Sequence, residues 1–130
     1  MRTLIVEDDP TSQLLLANML GSYGECVMAD DGQRAIDEFT RAYAQDKLFD
    51  LILMDIMMPG MDGKEAVRRI RGFEKDFGVR PANETRIIMI TALDDPKTVI
   101  ESYRGGATAY LTKPVKEQAL RKQLEDFGLA

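Results

Sequence analysis

The stretch LILMDIMMPG, residues 51–60, carries the clearest fold signal in the chain. Residues 51–54 are apolar one after another, as in parallel strands that are covered on both faces. One acid, Asp55, follows them, and Pro59 and Gly60 then interrupt the apolar pattern. We therefore predict a strand over residues 51–54 in the interior of a parallel sheet, with Asp55 at its carboxyl end.

Other short apolar runs lie on either side of this stretch, and helical patterns separate them. We predict strands over residues 2–6, 25–29, 51–54, 86–90 and 109–111. Strands that alternate with helices over short connections predict an α/β fold, a doubly wound parallel sheet with helices on both faces. Three segments between the strands or after them repeat apolar residues at helical spacing, which predicts a buried face on each: Ala35, Ile36, Phe39, Ala42 and Tyr43; Ala66, Val67, Ile70, Phe73 and Phe77; Leu120, Leu124 and Phe127.

Acids, prolines and glycines mark the boundaries of these elements. The pairs Asp9-Pro10 and Asp95-Pro96 each place a capping acid before a proline that suits the first helical position. Residues 78–85 contain several helix breakers and are predicted to form a surface loop. A chain of 130 residues has the common size of one compact unit, so we expect a single domain over residues 1–130.

Composition argues against several classes of function. The formal net charge is −5 and no run of Lys or Arg occurs, so direct nucleic acid binding is not expected. The longest apolar stretch is far shorter than the ~20 residues that cross a bilayer, so no membrane association is expected. Histidine is absent, which excludes His-based catalysis and His metal ligands. The single cysteine, Cys26, cannot form an internal disulfide, which favours a reducing, cytoplasmic location.

The chemically useful residues come at the ends of the predicted strands. Glu7 and Asp8 follow the first strand, Asp55 the third, Thr91 the fourth and Lys113 the fifth. Because ligands of open parallel sheets bind beyond the carboxyl ends of the strands, these side chains are expected to share one edge. Each residue alone could be an ordinary surface or capping residue, and only their common placement favours a functional site.

Asp55 is the most informative of these residues because its strand neighbours are all apolar. A buried acid is unfavourable without compensation, and Glu7 and Asp8 on a neighbouring strand would add repulsion. Two like charges about 4 Å apart repel by roughly 4 kcal/mol at an effective dielectric constant of about 20. A divalent cation relieves that repulsion, and clustered carboxylate oxygens are ligands that Mg²⁺ or Mn²⁺ prefers.

A carboxylate beside such a cation can act as a nucleophile toward phosphorus. Phosphoryl transfer depends mainly on positioning the reactants and neutralising charge on the transferred oxygens. Lys113 offers an ammonium group, Thr91 a hydroxyl donor, and the backbone after Asp55 several N–H groups. The strand ends therefore predict phosphoryl transfer to Asp55.

Four motifs resemble the receiver domain of two-component response regulators, of the single-domain type found among chemotaxis regulators, over essentially the whole chain. They are LIVEDD at residues 4–9, LMDIMMPGMDG at residues 53–63, ITA at residues 90–92 and YLTKP at residues 110–114. The resemblance implies a flavodoxin-like (βα)5 fold with strand order 2-1-3-4-5. It also implies a phosphoacceptor switch that catalyses its own phosphorylation and slow dephosphorylation, and not an enzyme with a separate product.

The resemblance gives a role to each acid at the predicted edge. Asp55 is expected to accept a phosphoryl group from the phosphohistidine of a histidine kinase or histidine phosphotransfer protein, or from a small phosphodonor. Asp55 and Asp8 directly, Glu7 through water and the backbone carbonyl of Met57 are expected to hold Mg²⁺ or Mn²⁺. Asp9 falls outside this set and is expected to cap the first helix.

The same resemblance implies a switch. Thr91 and Lys113 are expected to bind the phosphoryl group, and Tyr110 to turn inward when Thr91 moves onto it. That motion would change the face made by the fourth helix, fifth strand and fifth helix, where a downstream effector protein would bind and where phosphorylation could favour a homodimer. The Lys113–Pro114 peptide bond is expected to be cis.

The chain also departs from the receiver pattern. Met57 and Leu93 are apolar where some receivers have polar side chains that guide the hydrolytic water, which leads us to expect slow self-dephosphorylation. Lys116 stands where a better helix cap is common. A haloacid-dehalogenase-like phosphatase would need a second Asp where this chain has Met57, so that function is rejected. The alternative is a degenerate receiver that acts only as a protein-interaction module, and the presence of all the site residues argues against it.

Overall fold

The computed structural model describes residues 1–92 and 96–130. They form one five-stranded parallel sheet with the strand order β2-β1-β3-β4-β5. The predicted α/β class and strand order are confirmed. The strands are β1 (Arg2–Val6), β2 (Glu25–Ala29), β3 (Leu51–Asp55), β4 (Arg86–Thr91) and β5 (Ala109–Thr112). The helices are α1 (Pro10–Leu20), α2 (Gly32–Ala44), α3 (Gly63–Asp76), α4 (Pro96–Arg104) and α5 (Glu117–Asp126).

The sheet separates two hydrophobic cores, and β3 shows why both exist. Its side chains alternate between the faces, with Ile52 and Met54 in the core beneath α2 and α3, and Leu51 and Leu53 in the core beneath α1 and α5. All four are fully buried. Continuous apolar character in β3 therefore reflects helices on both faces of the sheet.

Three strands run one residue beyond their predicted ends. The pairs Asp55↔Ile90 and Thr91↔Thr112 extend β3, β4 and β5 through polar residues. Backbone pairing does not depend on side-chain polarity, so an apolar pattern underestimates where such a strand ends. The consequence is functional, because Asp55 and Thr91 are the last residues of rigid strands and not the first residues of loops.

The end of α3 and the loop after it differ in part from the sequence prediction. Phe77 was expected on the buried face, but its side chain is 65% exposed. The helix ends at Asp76, and Gly78 turns the chain away with φ 73°. Phe77 stacks on Phe73, with ring centroids 4.4 Å apart, and lies at the edge of Tyr43, with ring centroids 6.0 Å apart. The predicted loop over residues 78–85 includes a 3-10 turn, and its last residue, Thr85, is buried.

The helix caps follow local chemistry where the structure describes them. The Asp9 side chain accepts a hydrogen bond from the Ser12 N–H and caps α1 as expected, whereas Lys116 caps α5 with no side-chain hydrogen bond. The expected cap at Asp95 and the apolar residue Leu93 lie outside the described residues. None of the described helices is long and apolar enough to cross a membrane.

Candidate metal and phosphoryl site

Three carboxylates meet at the carboxyl edge of the sheet. Strand pairing aligns Val6 of β1 with Met54 of β3, so the next residue of each strand, Glu7 and Asp55, comes side by side. Asp8 follows Glu7 in the chain. Each of the three acids offers one carboxylate oxygen to a cluster whose atoms all lie within 4.8 Å of one another.

Lys113 is the cation that the structure places against this cluster. Its Nζ lies 3.0 Å from Asp55 Oδ2 and 3.3 Å from each carboxylate oxygen of Glu7. Glu7 is 2% exposed and Asp55 4% exposed, whereas Asp8 faces solvent. Three carboxylates and one ammonium group leave a formal charge of −2 when all are ionised (−3 + 1), at a place where two of the acids are withdrawn from water.

The pKa values of both Glu7 and Lys113 are raised in this crowded cluster. Burial, followed by the hydrogen bond to Asp55 and the charge of Asp55, raises the pKa of Glu7 to about 7. Burial acts to lower the pKa of Lys113, but the hydrogen bond to Asp55 and the charges of Asp55 and Glu7 outweigh it and raise that pKa. The Lys113 ammonium group therefore does not offset the effect of burial and of Asp55 on the pKa of Glu7.

The donor set fits Mg²⁺ or Mn²⁺. All three side-chain ligands are carboxylates, which are hard oxygen donors, and the formal surplus of two negative charges matches a divalent cation. The three carboxylate oxygens lie close enough for one ion to be held by all three acids, directly or through water. Asp8 is the exposed member and gives the cluster an opening to solvent.

The segment after Asp55 is held close to the acid by the backbone. The Met57 N–H donates to Asp55 Oδ1 at 3.1 Å, and the Gly63 N–H donates to the Ile56 carbonyl at 3.0 Å. A Cβ on Gly63 would lie 2.3 Å from the Asp55 carbonyl oxygen, so only glycine lets α3 begin this close to β3. The Met57 side chain is 63% exposed.

The remaining residues predicted from the sequence lie on β4, β5 and the segment after β5. Thr91 ends β4 fully buried, and its carbonyl accepts the Lys113 N–H at 2.8 Å, which ties the end of β5 to that of β4. Tyr110 is partly buried and packs against the core beneath α2 and α3. The Lys113–Pro114 peptide bond is cis.

One contact at this edge was not anticipated from the sequence. The side-chain amide of Gln13 on α1 donates to the backbone carbonyl of Glu7 at 2.5 Å. The only sequence signal is a polar residue close to the apolar positions Leu16 and Leu20, the buried residues of α1. That signal does not identify the partner, because the contact depends on how α1 returns over the end of β1.

Comparison with known proteins agrees with this geometry. A family model, described as the response regulator receiver domain, matches residues 3–125. Protein PilH of Pseudomonas aeruginosa is 36% identical over 124 residues, which cover 95% of this chain and 93% of PilH. Sensor protein GacS of Pseudomonas syringae is 35% identical over 134 residues. That match covers 99% of this chain but only 14% of the length of GacS.

Solved structures give the same result. The receiver domain of Ssk1 from Saccharomyces cerevisiae, crystallised with the histidine phosphotransfer protein Ypd1, superposes with a TM-score of 0.85 at 30% identity and covers 98% of this chain and 88% of that one. The CheX–CheY complex with BeF3 and Mg from Borrelia burgdorferi gives a TM-score of 0.81 at 28% identity, with coverages of 98% and 89%. The chain belongs to the response regulator receiver domain family, the receiving modules of two-component and phosphorelay signalling.

Proposed function

We propose that residues 1–130 act as one receiver unit that takes a phosphoryl group on Asp55 with the help of Mg²⁺ or Mn²⁺. The observation that carries the proposal is the charge surplus at the sheet edge. Glu7, Asp8 and Asp55 bring carboxylate oxygens within 4.8 Å of one another, and the Lys113 ammonium group contacts Glu7 and Asp55. A site built only for stability would gain from a balanced pair instead.

The chain's own groups are placed for the transfer. An oxygen of the Asp55 carboxylate attacks phosphorus, and the donor's phosphorus–nitrogen bond breaks as the imidazole nitrogen takes its electron pair. Lys113, 3.0 Å from Asp55 Oδ2, is within reach of an oxygen of the incoming group, and the Met57 N–H at Asp55 Oδ1 fixes the carboxylate plane. Thr91 supplies a hydroxyl from the end of the next strand. A bound Mg²⁺ supplies neutralisation of the charge on the transferred oxygens.

The metal in this proposal is held by residues that the fold already brings together. Glu7, Asp8 and Asp55 would supply carboxylate oxygens. The backbone carbonyl of Met57, two residues after Asp55, would complete the protein ligands. Support comes from the similar CheX–CheY structure, whose complex includes Mg and BeF3. The apolar, exposed side chain of Met57 offers no hydrogen bond to a hydrolytic water, so the proposal includes a slow loss of the phosphoryl group.

The phosphodonor in this proposal is the phosphohistidine of a histidine kinase or a histidine phosphotransfer protein. The similar Ssk1 receiver was crystallised with such a phosphotransfer protein, and GacS is a sensor protein that contains a segment like this chain. Small phosphodonors such as acetyl phosphate would serve in the laboratory. The expected cytoplasmic location and the expected lack of direct nucleic acid binding stay predictions within this proposal.

The proposed output is a change at the α4–β5–α5 face. Thr91 and Tyr110 lie on neighbouring paired strands, with Met89 aligned to Tyr110 and Thr91 to Thr112. A movement of Thr91 toward a phosphoryl group would therefore act on β4, which pairs with β5, the strand that carries Tyr110. A downstream effector, or a second copy of the chain, would bind the altered face. Moving such an equilibrium almost completely requires about 5.5 kcal/mol of differential binding.

Intact mass measurement with acetyl phosphate tests the proposal directly. The wild type is expected to gain one phosphoryl group in the presence of Mg²⁺ and none after chelation, and Asp55→Asn is expected to gain none. Asp76→Asn is a matched control, because this exposed acid at the end of α3 lies outside the cluster. No gain in the wild type under any of these conditions would favour a degenerate receiver that only binds partners.

A further inference from the structure

The acids that would hold the metal lie on a very short connection. β1 ends at Val6 and α1 begins at Pro10, so Glu7, Asp8 and Asp9 are the only residues between them. The Glu7 N–H donates to the Ala29 carbonyl of β2 at 3.0 Å, which continues the sheet by one residue. Beyond that bond, the direction of the connection depends on side chains from α1.

Two α1 side chains bond to the two ends of this connection. At the far end, Ser12 Oγ donates to the Asp9 carboxylate at 2.8 Å, and the Ser12 N–H donates to the same oxygen at 3.2 Å. At the near end, Gln13 Nε2 donates to the Glu7 carbonyl at 2.5 Å. Asp8, which contributes to the carboxylate cluster, lies between the two attachments. Gln13 thus holds the backbone of the residue before Asp8, and Ser12 holds the side chain of the residue after it.

We propose that Gln13 is a positioning residue for the metal, since it fixes the backbone that presents Glu7 and Asp8; the inference rests on the proposed function. The amide satisfies a partly buried carbonyl that would otherwise lack this donor. It does so without charge, so the formal surplus of −2 that favours a divalent cation is retained. Lys or Arg at this position would also donate, but would add a positive charge beside the cluster.

Replacing Gln13 with methionine keeps the length of the side chain and removes the donor. We expect Gln13→Met to weaken Mn²⁺ binding by roughly 3–10-fold, below the 10–100-fold typical of partners that bond directly to metal-ligating side chains, because Gln13 acts through the backbone. Gln13→Asn withdraws the amide by one methylene group and leaves a polar residue on the helix. It is expected to weaken binding in the same direction.

The chain offers a matched control on α2. Gln33 lies in the first turn of that helix, and its exposed amide donates to the exposed Asp37 at 3.0 Å, a residue outside the carboxylate cluster. Gln33→Met therefore makes the same chemical change without removing a donor to the Glu7 carbonyl. We expect its Mn²⁺ affinity to equal that of the wild type.

The measurement is a Mn²⁺ titration of the unphosphorylated full chain, followed by electron paramagnetic resonance, with thermal unfolding recorded in chelator. Phosphorylation by acetyl phosphate is then measured against Mg²⁺ concentration. Gln13→Met is expected to raise the half-saturating Mg²⁺ concentration by the same factor as the Mn²⁺ dissociation constant, with a rate at saturating Mg²⁺ within twofold of the wild type.

The outcomes separate this inference from the proposed function. Wild-type Mn²⁺ affinity in Gln13→Met or Gln13→Asn overturns the positioning role even if the chain is phosphorylated normally. A lower unfolding temperature with unchanged Mn²⁺ affinity also overturns it, since the role would then be structural. If the wild type itself neither binds Mn²⁺ nor takes up a phosphoryl group, the proposed function fails first, and the inference fails with it.

Discussion

The structure contains two buried acidic centres that are built in opposite ways. At the carboxyl edge, Glu7 and Asp55 share one ammonium group with the exposed Asp8 nearby. On α3, Glu74 is 1% exposed, and each of its carboxylate oxygens has its own donor. Arg71 Nη1 lies 2.6 Å from one oxygen, and the Thr85 N–H lies 2.8 Å from the other.

The buried charges of the Glu74 centre are balanced, one carboxylate against one guanidinium, and the more exposed Glu84 lies 3.5 Å from Arg71 Nε at its edge. Arg71 also donates to the Gly106 carbonyl at 2.9 Å and to Thr108 Oγ1 at 3.3 Å. One acid and one guanidinium thereby connect α3 to the residue before β4 and to the turn between α4 and β5. Such a centre needs no ligand, and its physical role is to hold elements together.

The two centres differ in charge balance, and that difference distinguishes a structural ion pair from a candidate binding site. A buried carboxylate with a matching cation and filled hydrogen bonds is stable as it stands. Two buried carboxylates that share a single ammonium group are not, and burial, together with the hydrogen bond to Asp55 and its charge, raises the pKa of Glu7 to about 7. A surplus of buried charge is therefore a better sign of a binding site than burial of charge alone.

The largest predicted effect breaks the balanced centre. Glu74→Ala leaves the Arg71 guanidinium with only the more exposed Glu84 beside it and the buried Thr85 N–H without its acceptor, so it is expected to lower the free energy of unfolding by about 3–5 kcal/mol. Urea denaturation measures the loss. Glu65→Ala, which removes an acid that pairs with arginines on the exposed side of the same helix, is the control and is expected to lose far less. Equal losses in the two variants would contradict the distinction.

The next effect has the opposite sign. Asp55→Asn removes one of the crowded negative charges and leaves Lys113 paired with Glu7, so without metal it is expected to raise the free energy of unfolding by about 1 kcal/mol. Urea denaturation in chelator measures the gain.

Added Mg²⁺ sharpens this test. At a concentration tenfold above its dissociation constant, Mg²⁺ is expected to stabilise the wild type by about 1.4 kcal/mol, and the Asp55→Asn variant by much less. The stability difference between the two proteins should therefore shrink or reverse on adding the metal. A variant that stays less stable than the wild type in chelator would show that the centre is balanced after all.

The smallest predicted effect concerns the exposed residue beside the unbalanced centre. Met57→Asn gives the segment after Asp55 a polar side chain that can hydrogen-bond water, and is expected to speed loss of the phosphoryl group by about threefold, or less than 1 kcal/mol. The decay of phosphorylated protein, followed by intact mass after removal of the donor, measures it. Met57→Leu keeps an apolar side chain and should decay like the wild type; an unchanged rate in Met57→Asn would contradict the role given to Met57.

Local patterns in the sequence determined the α/β fold and the position of the site. Apolar runs and helical spacing predicted five strands and their flanking helices, with β1 and β2 placed at the residues that the structure shows. The acids, Thr91 and Lys113 were predicted at one edge because strand ends of a parallel sheet meet there. These predictions succeeded because each depends on a repeat or a boundary that is short in sequence.

Tertiary structure alone decided which buried charges are balanced. In the sequence, Glu74 resembles an ordinary surface acid of an amphipathic helix. In the structure it is buried, because Arg71 and Thr85, 11 residues away, donate hydrogen bonds to it. Arg71 in turn contacts Gly106, 35 residues away, and Gln13 finds the Glu7 carbonyl only when α1 folds back. Phe77 is exposed because the helix ends at Asp76 and Gly78 turns the chain away just after it. Sequence patterns record which residues prefer burial, whereas the partner of each buried polar atom depends on the packing of distant segments.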